Sequence, residues 1–248
     1  MIPKKIHYCW FGGKPLPAQA KICIASWKKY LPDFEIIEWN ESNFDVSIIP
    51  YVKEAYEKKK YAFVSDYARF WILYHHGGLY FDTDVEIIRP LDDIISAGAF
   101  MGFENNSITT QKRIPNMGIG VNPGLGLGVS AGHFFYNEIL GYYAKEHFVT
   151  HDNSLNLNTV GVRVTSIMKE HGLMINNQFQ RVCDINIYPP DYFSPISIVD
   201  GKLWITENTV SIHHYAASWT TPSYRIIRKF ILWIGGYRLK SFISRILR

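Results

Sequence analysis

Cysteine is scarce in this chain of 248 residues: there are three, Cys9, Cys23 and Cys183. Their spacing has neither a paired nor a metal-ligand pattern. That argues against a disulfide framework or a zinc module, and for reduced core thiols in a cytoplasmic protein. Long apolar runs are missing too. No stretch reaches the roughly 18 apolar residues of a membrane span. The opening MIPKKIHYCWFGG lacks the apolar run of about seven residues expected of a secretory leader. The glycines of Met117–Gly132 do not form Gly-x-Gly-x-x-Gly between a strand and a helix, so a dinucleotide fingerprint is rejected. Net charge is only +4, and nucleic acid is not an expected partner. What the chain does have is apolar mass: 47% hydrophobic residues and 15% aromatics, enough for one sizeable core.

The most informative stretch is Tyr61–Glu86, YAFVSDYARFWILYHHGGLYFDTDVE. Ala62, Phe63, Tyr67, Phe70, Trp71 and Tyr74 recur at helical steps. Gly77-Gly78 supplies a left-handed stop. Leu79-Tyr80-Phe81 then reads as a short apolar strand running into Asp82-Thr83-Asp84. In an extended backbone Asp82 and Asp84 point to one side, with Cα atoms about 7 Å apart. Two like charges so close gain from a shared cation. Hard oxygen ligands suit Mg²⁺ or Mn²⁺. Upstream, Asp66 and Arg69 share one helical face. On a surface they would be a weak ion pair. On a helix this aromatic they are expected to be buried, where each needs a partner.

The block Ser65-Asp66-Tyr67-Ala68-Arg69, then Gly77-Gly78-Leu79-Tyr80-Phe81-Asp82-Thr83-Asp84, resembles the sugar-binding region of glycosyltransferase family 32. It is more distantly similar to the glucosylating clostridial toxins. The resemblance implies a GT-A type α/β fold: one domain with a Rossmann-like mixed central sheet flanked by helices. It also implies a retaining, metal-dependent transfer from a nucleotide-diphosphate sugar. Asp66, Arg69, Asp82 and Asp84 are the implied catalytic set, with Asp66, Arg69 and Asp82 also on the donor.

Taken in order, the chain opens with a strand at Lys5–Trp10 and a helix at Ala18–Tyr30 with Ile22, Ile24, Ala25 and Trp27 as its apolar face. A strand at Phe34–Trp39 and a short, exposed, charged helix at Tyr51–Lys59 follow. Ligand loops are expected at the C-terminal strand ends, where Trp10 precedes Gly12-Gly13. The opening Ile2-Pro3, Ile6-His7, Trp10 and Gly12-Gly13 match the family's first motif, which implies that Trp10 stacks on the nucleotide base. Strands are also expected at Val85–Ile88, Ala99–Glu104 and Val182–Tyr188, helices at His133–Glu146 and Val160–His171, and a small hairpin over Phe193–Ile205. Residues 105–116, with Lys112-Arg113, read as a loop able to close on a donor or acceptor. The resemblance makes Asn122 a candidate sugar-hydroxyl partner. Thr159-Val160-Gly161 departs from the Thr-Gly-Pro of many relatives.

A second chemical stretch is VSIHHYAASW, Val210–Trp219. Strand alternation sets Ser211, His213 and Tyr215 on one side and His214 on the other. The family ends its catalytic domain with a histidine strand followed by Ser-Trp. The implied metal ligands are therefore Asp82, Asp84 and one of His213 and His214, with His213 preferred for its polar face. Ser218 and Trp219 are implied to lie against the diphosphate. Tyr224–Arg248 has apolar stripes at helical spacing, seven basic residues and no acidic one, a composition suited to an anionic membrane surface.

The reading is a hexosyltransferase over residues 1–222 with a basic amphipathic tail over 223–248. It would use Mn²⁺ or Mg²⁺ and a UDP- or GDP-sugar. It would serve a glycan or lipid-linked acceptor of surface polysaccharide synthesis, peripherally at the inner face of the membrane. Its rivals are a nucleotide-sugar hydrolase or phosphotransferase, which turns over without acceptor, and a non-catalytic carbohydrate- or membrane-binding protein, which needs no acidic metal set.

Overall fold

The computed structural model describes residues 1–104, 120–197 and 201–216. Its centre is a seven-stranded mixed sheet. The strands are β1 (Lys5–Cys9), β2 (Glu35–Trp39), β3 (Gly78–Tyr80), β5 (Phe100–Gly102), β6 (Leu127–Val129), β7 (Gln180–Val182) and β8 (Ile185–Tyr188), in the order β2-β1-β3-β6-β5-β8-β7. β1 runs parallel to both β2 and β3, so these three strands end on the same edge. β6 is antiparallel to both of its neighbours. A separate antiparallel pair joins β4 (Val85–Ile87) to β9 (Ser211–His213). The helices are α1 (Ala18–Tyr30), α2 (Pro50–Glu57), α3 (Tyr61–His76), α4 (Asp92–Ser96), α5 (Phe134–Tyr143), α6 (Val160–Glu170) and α7 (Pro190–Phe193). Two apolar clusters form the core. One gathers α2, α3, α5 and α6; the other gathers α1, α4, α7 and β4. This mixed sheet with flanking helices is the GT-A arrangement.

α3 is the helix on which the sheet is built. Phe63, Val64, Tyr67, Ala68, Phe70, Ile72 and Leu73 are all buried along it. Gly77 ends it at φ 61°, donating its N–H to the Leu73 carbonyl at 2.9 Å. Gly78 follows at φ 100°, and a Cβ there would lie 2.7 Å from the Lys5 carbonyl oxygen. Glycine at this point lets β3 press directly against β1.

Several local expectations change. α2 is not an exposed helix, since Tyr51, Val52 and Ala55 are fully buried against α3 and α5. Ile22 is 56% exposed, and α1 instead buries Ala20, Cys23 and Trp27. Trp27 also donates its indole N–H to the Val85 carbonyl at 2.7 Å. The strand expected over Val182–Tyr188 is a hairpin, because Cys183 and Asp184 both take positive φ and turn the chain between β7 and β8. β6 was hidden by its glycines. Gly128 pairs opposite Phe100, where a Cβ would sit 2.2 Å from that ring. The small hairpin after Phe193 is represented by a single bridge, Ile196 to Leu203.

His7 locks this architecture at β1. It accepts the Trp39 indole N–H on Nδ1 at 3.0 Å, which leaves Nε2–H to donate to the Gly77 carbonyl at 3.0 Å. Burial lowers its pKa to about 4. The neutral ring is therefore the stabilising form. Its contribution is present above pH 6.5 and is lost as pH falls toward 4. The unfolding free energy of the wild type relative to His7→Gln is expected to shrink by about 3 kcal/mol across that window. Urea titrations of both proteins at pH 7 and pH 4.5 measure it; a constant difference would refute the neutral buried histidine.

Candidate active site

Asp82 lies just beyond β3, on the edge where β1 and β2 also end. The Asp82–Asp84 segment is a turn rather than extended chain, closed by the Val85 N–H donating to the Asp82 carbonyl at 3.0 Å. The two carboxylates nevertheless converge. One ligand atom from each of Asp82, Asp84 and His213 lies within 4.8 Å of the others. His213 is brought in by the β4–β9 pair, whose register sets it opposite Val85.

Each member of the cluster is held by further groups. Asp84 meets His213 Nε2 at 3.1 Å and accepts the Ala216 N–H at 2.7 Å. Burial alone would raise its pKa, but His213 and the backbone N–H groups together outweigh burial and leave Asp84 at about 2. Burial likewise works against a charged His213, and Asp84 overcomes it, raising the imidazole above its usual value. Asp82 is raised by burial despite Arg69 beside it. Its Oδ1 meets Arg69 Nη2 at 3.4 Å and accepts the Tyr80 hydroxyl at 3.2 Å.

Arg69 is the hub behind the carboxylates. Its side chain is 3% exposed. It pairs with Asp66 at 2.9 Å, donates Nε–H to the Ser65 carbonyl at 3.1 Å, and lies 4.9 Å from the Tyr80 ring. Nη1 is buried with no partner among the described residues, so a donor remains on the guanidinium. Asp66 rises to about 6 through burial, with Arg69 holding it down.

The other expected residues are placed as follows. Trp10 follows β1 and lines a cleft with Gly13, Lys14, Glu38, Asn40 and Glu41 at the ends of β1 and β2. Its indole N–H donates to the Lys14 carbonyl at 2.5 Å. Asn122 donates Nδ2–H to Glu104 at 2.8 Å and accepts the Gly124 N–H on Oδ1 at 2.8 Å. His214 points to Glu86, at 2.8 Å, and stands outside the Asp82–Asp84–His213 group. Ser218, Trp219, the loop at 105–116 and the tail after residue 222 lie outside the described residues. Tyr80, Glu104, Gly124 and Tyr215 also border the site. Tyr80 stood in the motif without a role, Tyr215 was marked only by strand alternation as sharing the face of His213, and Glu104 and Gly124 carried no local signal.

Two carboxylates and one imidazole form a donor set that suits Mn²⁺ or Mg²⁺.

Residues 17–101 match the family model described as the glycosyltransferase sugar-binding region containing the DXD motif. Inositol phosphoceramide mannosyltransferase 1 of Schizosaccharomyces pombe is 30% identical over 111 residues, covering 40% of this chain and 33% of that protein. Uncharacterized glycosyltransferase L373 of Acanthamoeba polyphaga mimivirus is 32% identical over 110 residues, covering 40% and 42%. The chain thus spans well under half the length of these curated relatives. Among solved structures, PaToxG glycosyltransferase aligns with a TM-score of 0.46 at 19% identity, over 68% of this chain and 69% of that one. The segment from α1 through the Asp82-Thr83-Asp84 turn to β5 is therefore the part of this chain that matches a glycosyltransferase sugar-binding region.

Proposed function

We propose that this protein is a metal-dependent glycosyltransferase that moves a hexose from a nucleotide-diphosphate sugar to a glycan or lipid-linked acceptor. The observation that carries the reading is the convergence of Asp82, Asp84 and His213 on the edge where β1, β2 and β3 end, beside a buried Arg69–Asp66 pair. Asp84, Asp82 and His213 would hold the ion. Such an ion, when bound, stabilises charge building on the leaving diphosphate. Arg69 and Tyr80 fix Asp82 in place. Asp66 and the remaining donor of Arg69 orient sugar hydroxyls, which fixes the anomeric carbon against its acceptor. Ser218 and Trp219, outside the described residues, are assigned to the diphosphate by the family pattern alone. No separate nucleophilic carboxylate is assigned, so retention is read as same-face attack: the acceptor oxygen bonds the anomeric carbon as the diphosphate leaves, and the leaving phosphate takes the acceptor's proton.

The Trp10 cleft takes the nucleotide base, with the indole as its stacking surface. Calorimetry of UDP- and GDP-sugars with Mn²⁺ is expected to show binding of one class. Trp10→Ala should weaken it by about 1–3 kcal/mol, the worth of one base–aromatic stack. Unchanged affinity in the variant would return Trp10 to a structural role, and full turnover of donor without acceptor would favour a hydrolase.

The family 32 assignment, a catalytic domain over 1–222 and a membrane-directed tail over 223–248 belong to the same reading. The names of two relatives, both inositol phosphoceramide mannosyltransferases, support a lipid-linked acceptor. No helix among the described residues is long and apolar enough to cross a membrane. A peripheral enzyme at the inner face would meet such an acceptor through its tail, each basic residue contributing about 1 kcal/mol at an anionic surface. Full-length protein should co-sediment with anionic vesicles and not with neutral ones, and a version ending at Gly236 should do so less. Equal sedimentation of the two proteins would reject the segment after Gly236 as an anchor.

A further inference from the structure

Glu104 follows β5 and holds no place in the motifs around Asp82. Its backbone N–H donates to the Gly120 carbonyl at 2.9 Å, and the Phe103–Val121 bridge fixes the two chains beside it. Its carboxylate is an acceptor for two groups, one leading to Asp82 and the other to His213. On one flank it accepts Asn122 Nδ2–H at 2.8 Å. That bond sets the Asn122 amide so that Oδ1 accepts the Gly124 N–H, also at 2.8 Å. The Gly124 carbonyl in turn accepts the Asp82 N–H at 3.4 Å. Gly124 is pressed against the Asp82 carboxylate, since a Cβ there would lie 2.3 Å from Oδ2. On the other flank Glu104 accepts the Tyr215 hydroxyl. That hydroxyl also bonds Ser194 Oγ at 2.7 Å, and the Tyr215 ring packs edge-on against His213 with centroids 4.2 Å apart. Tyr215 takes positive φ, 49°, an uncommon backbone conformation for a bulky residue.

We propose that Glu104 is a positioning residue for the metal centre, tying the Asp82 side to the His213 side through Asn122–Gly124 and Tyr215. The proposal rests on the metal-centre reading above. A carboxylate is suited to this place because both partners present donors and its two oxygens offer each of them a separate acceptor. Partners of this kind behind metal ligands govern affinity because they set ligand orientation before the ion arrives.

The test reads Mn²⁺ alone, by electron paramagnetic resonance titration of the full chain, with thermal melts as a folding control. Glu104→Ala is expected to weaken Mn²⁺ binding by about 10- to 100-fold, the range for loss of such a partner. Glu104→Gln is expected to recover most of that loss. Its amide oxygen still accepts from Asn122, and its N–H donates to the Tyr215 oxygen once that hydroxyl turns to Ser194. Tyr215→Phe, which cuts one flank only, is expected to fall between wild type and Glu104→Ala. Asp84→Asn serves as the reference. Suppose Asp84→Asn loses Mn²⁺ while folded Glu104→Ala keeps wild-type affinity; then the Glu104 proposal fails and the metal centre stands. If neither variant changes Mn²⁺ binding, the metal centre fails and the Glu104 proposal with it. If Glu104→Gln binds as poorly as Glu104→Ala, charge rather than geometry is at work, and the positioning role is overturned.

Discussion

Asp84→Asn is expected to abolish sugar transfer, lowering kcat by about 100- to 1,000-fold or more, the scale of losing one electrostatic stabiliser of a developing anion. The size of the effect follows from how Asp84 is held. Burial raises its pKa, the His213 imidazole and backbone N–H groups together override burial, and the carboxyl rests at about 2. It is therefore anionic at any pH where the enzyme would work. Asparagine keeps the shape and can still accept the Ala216 N–H, but removes the charge that pairs with His213 and would hold the ion. A stability change accompanies the loss. Because the folded pKa lies below the ordinary value, the charged form stabilises the fold above about pH 4, and that contribution disappears as pH falls toward 2. The variant should thus melt earlier at neutral pH, by roughly 2 kcal/mol of unfolding free energy, yet remain folded. Transfer assays with Mn²⁺ and with EDTA, paired with melts, separate the two effects. Wild-type turnover in the variant, or in EDTA, would remove the metal centre from the mechanism.

Arg69→Leu is the change with the largest expected cost to the fold. Arg69 is 3% exposed and touches Asp66, Asp82, the Ser65 carbonyl and the Tyr80 ring. Leucine would leave the buried Asp66 and the part-buried Asp82 without their cation. Removing one partner of a buried ion pair costs about 3–5 kcal/mol, because the other charge stays buried and uncompensated. The direction with pH is set by Asp66. Burial already raises it to about 6 with Arg69 present, and losing the guanidinium pushes it higher. A carboxyl whose folded pKa exceeds its unfolded value stabilises less as pH rises from the unfolded pKa through the folded one. The deficit of Arg69→Leu should therefore be larger at pH 7 than at pH 5. Urea unfolding at both values measures it. A deficit under about 1 kcal/mol at both would mean the pair behaves like an exposed surface bridge.

How far the site could be read along the chain depended on the range of each interaction. α3, its stop at Gly77-Gly78 and the apolar step into Asp82 are encoded by neighbours a few residues apart. Helical periodicity, glycine's tolerance of positive φ and the three-residue step from Asp66 to Arg69 are all local rules. The acidic pair was legible for the same reason, although its backbone proved to be a turn rather than a strand end. β6 escaped because Gly126 and Gly128 erase the side-chain alternation that marks a strand, and their absent Cβ atoms make sense only beside Phe81 and Phe100. The turn between β7 and β8 escaped because Cys183 is not a residue that announces positive φ, and no glycine follows it to mark a two-residue turn.

The sequence by itself determined the α/β class, the helix carrying Asp66 and Arg69, and the two carboxylates beyond the strand that follows. Only the tertiary structure decided which histidine stands with them. The β4–β9 register places His213 opposite Val85, against Asp84, and sends His214 to Glu86. One residue of slip would exchange the two, because side chains alternate along a strand. It likewise joined Glu104, Asn122 and Tyr215 from distant parts of the chain. Hydrogen bonds and ion pairs act only between atoms in contact, and which distant atoms touch is settled by the packing of the whole sheet.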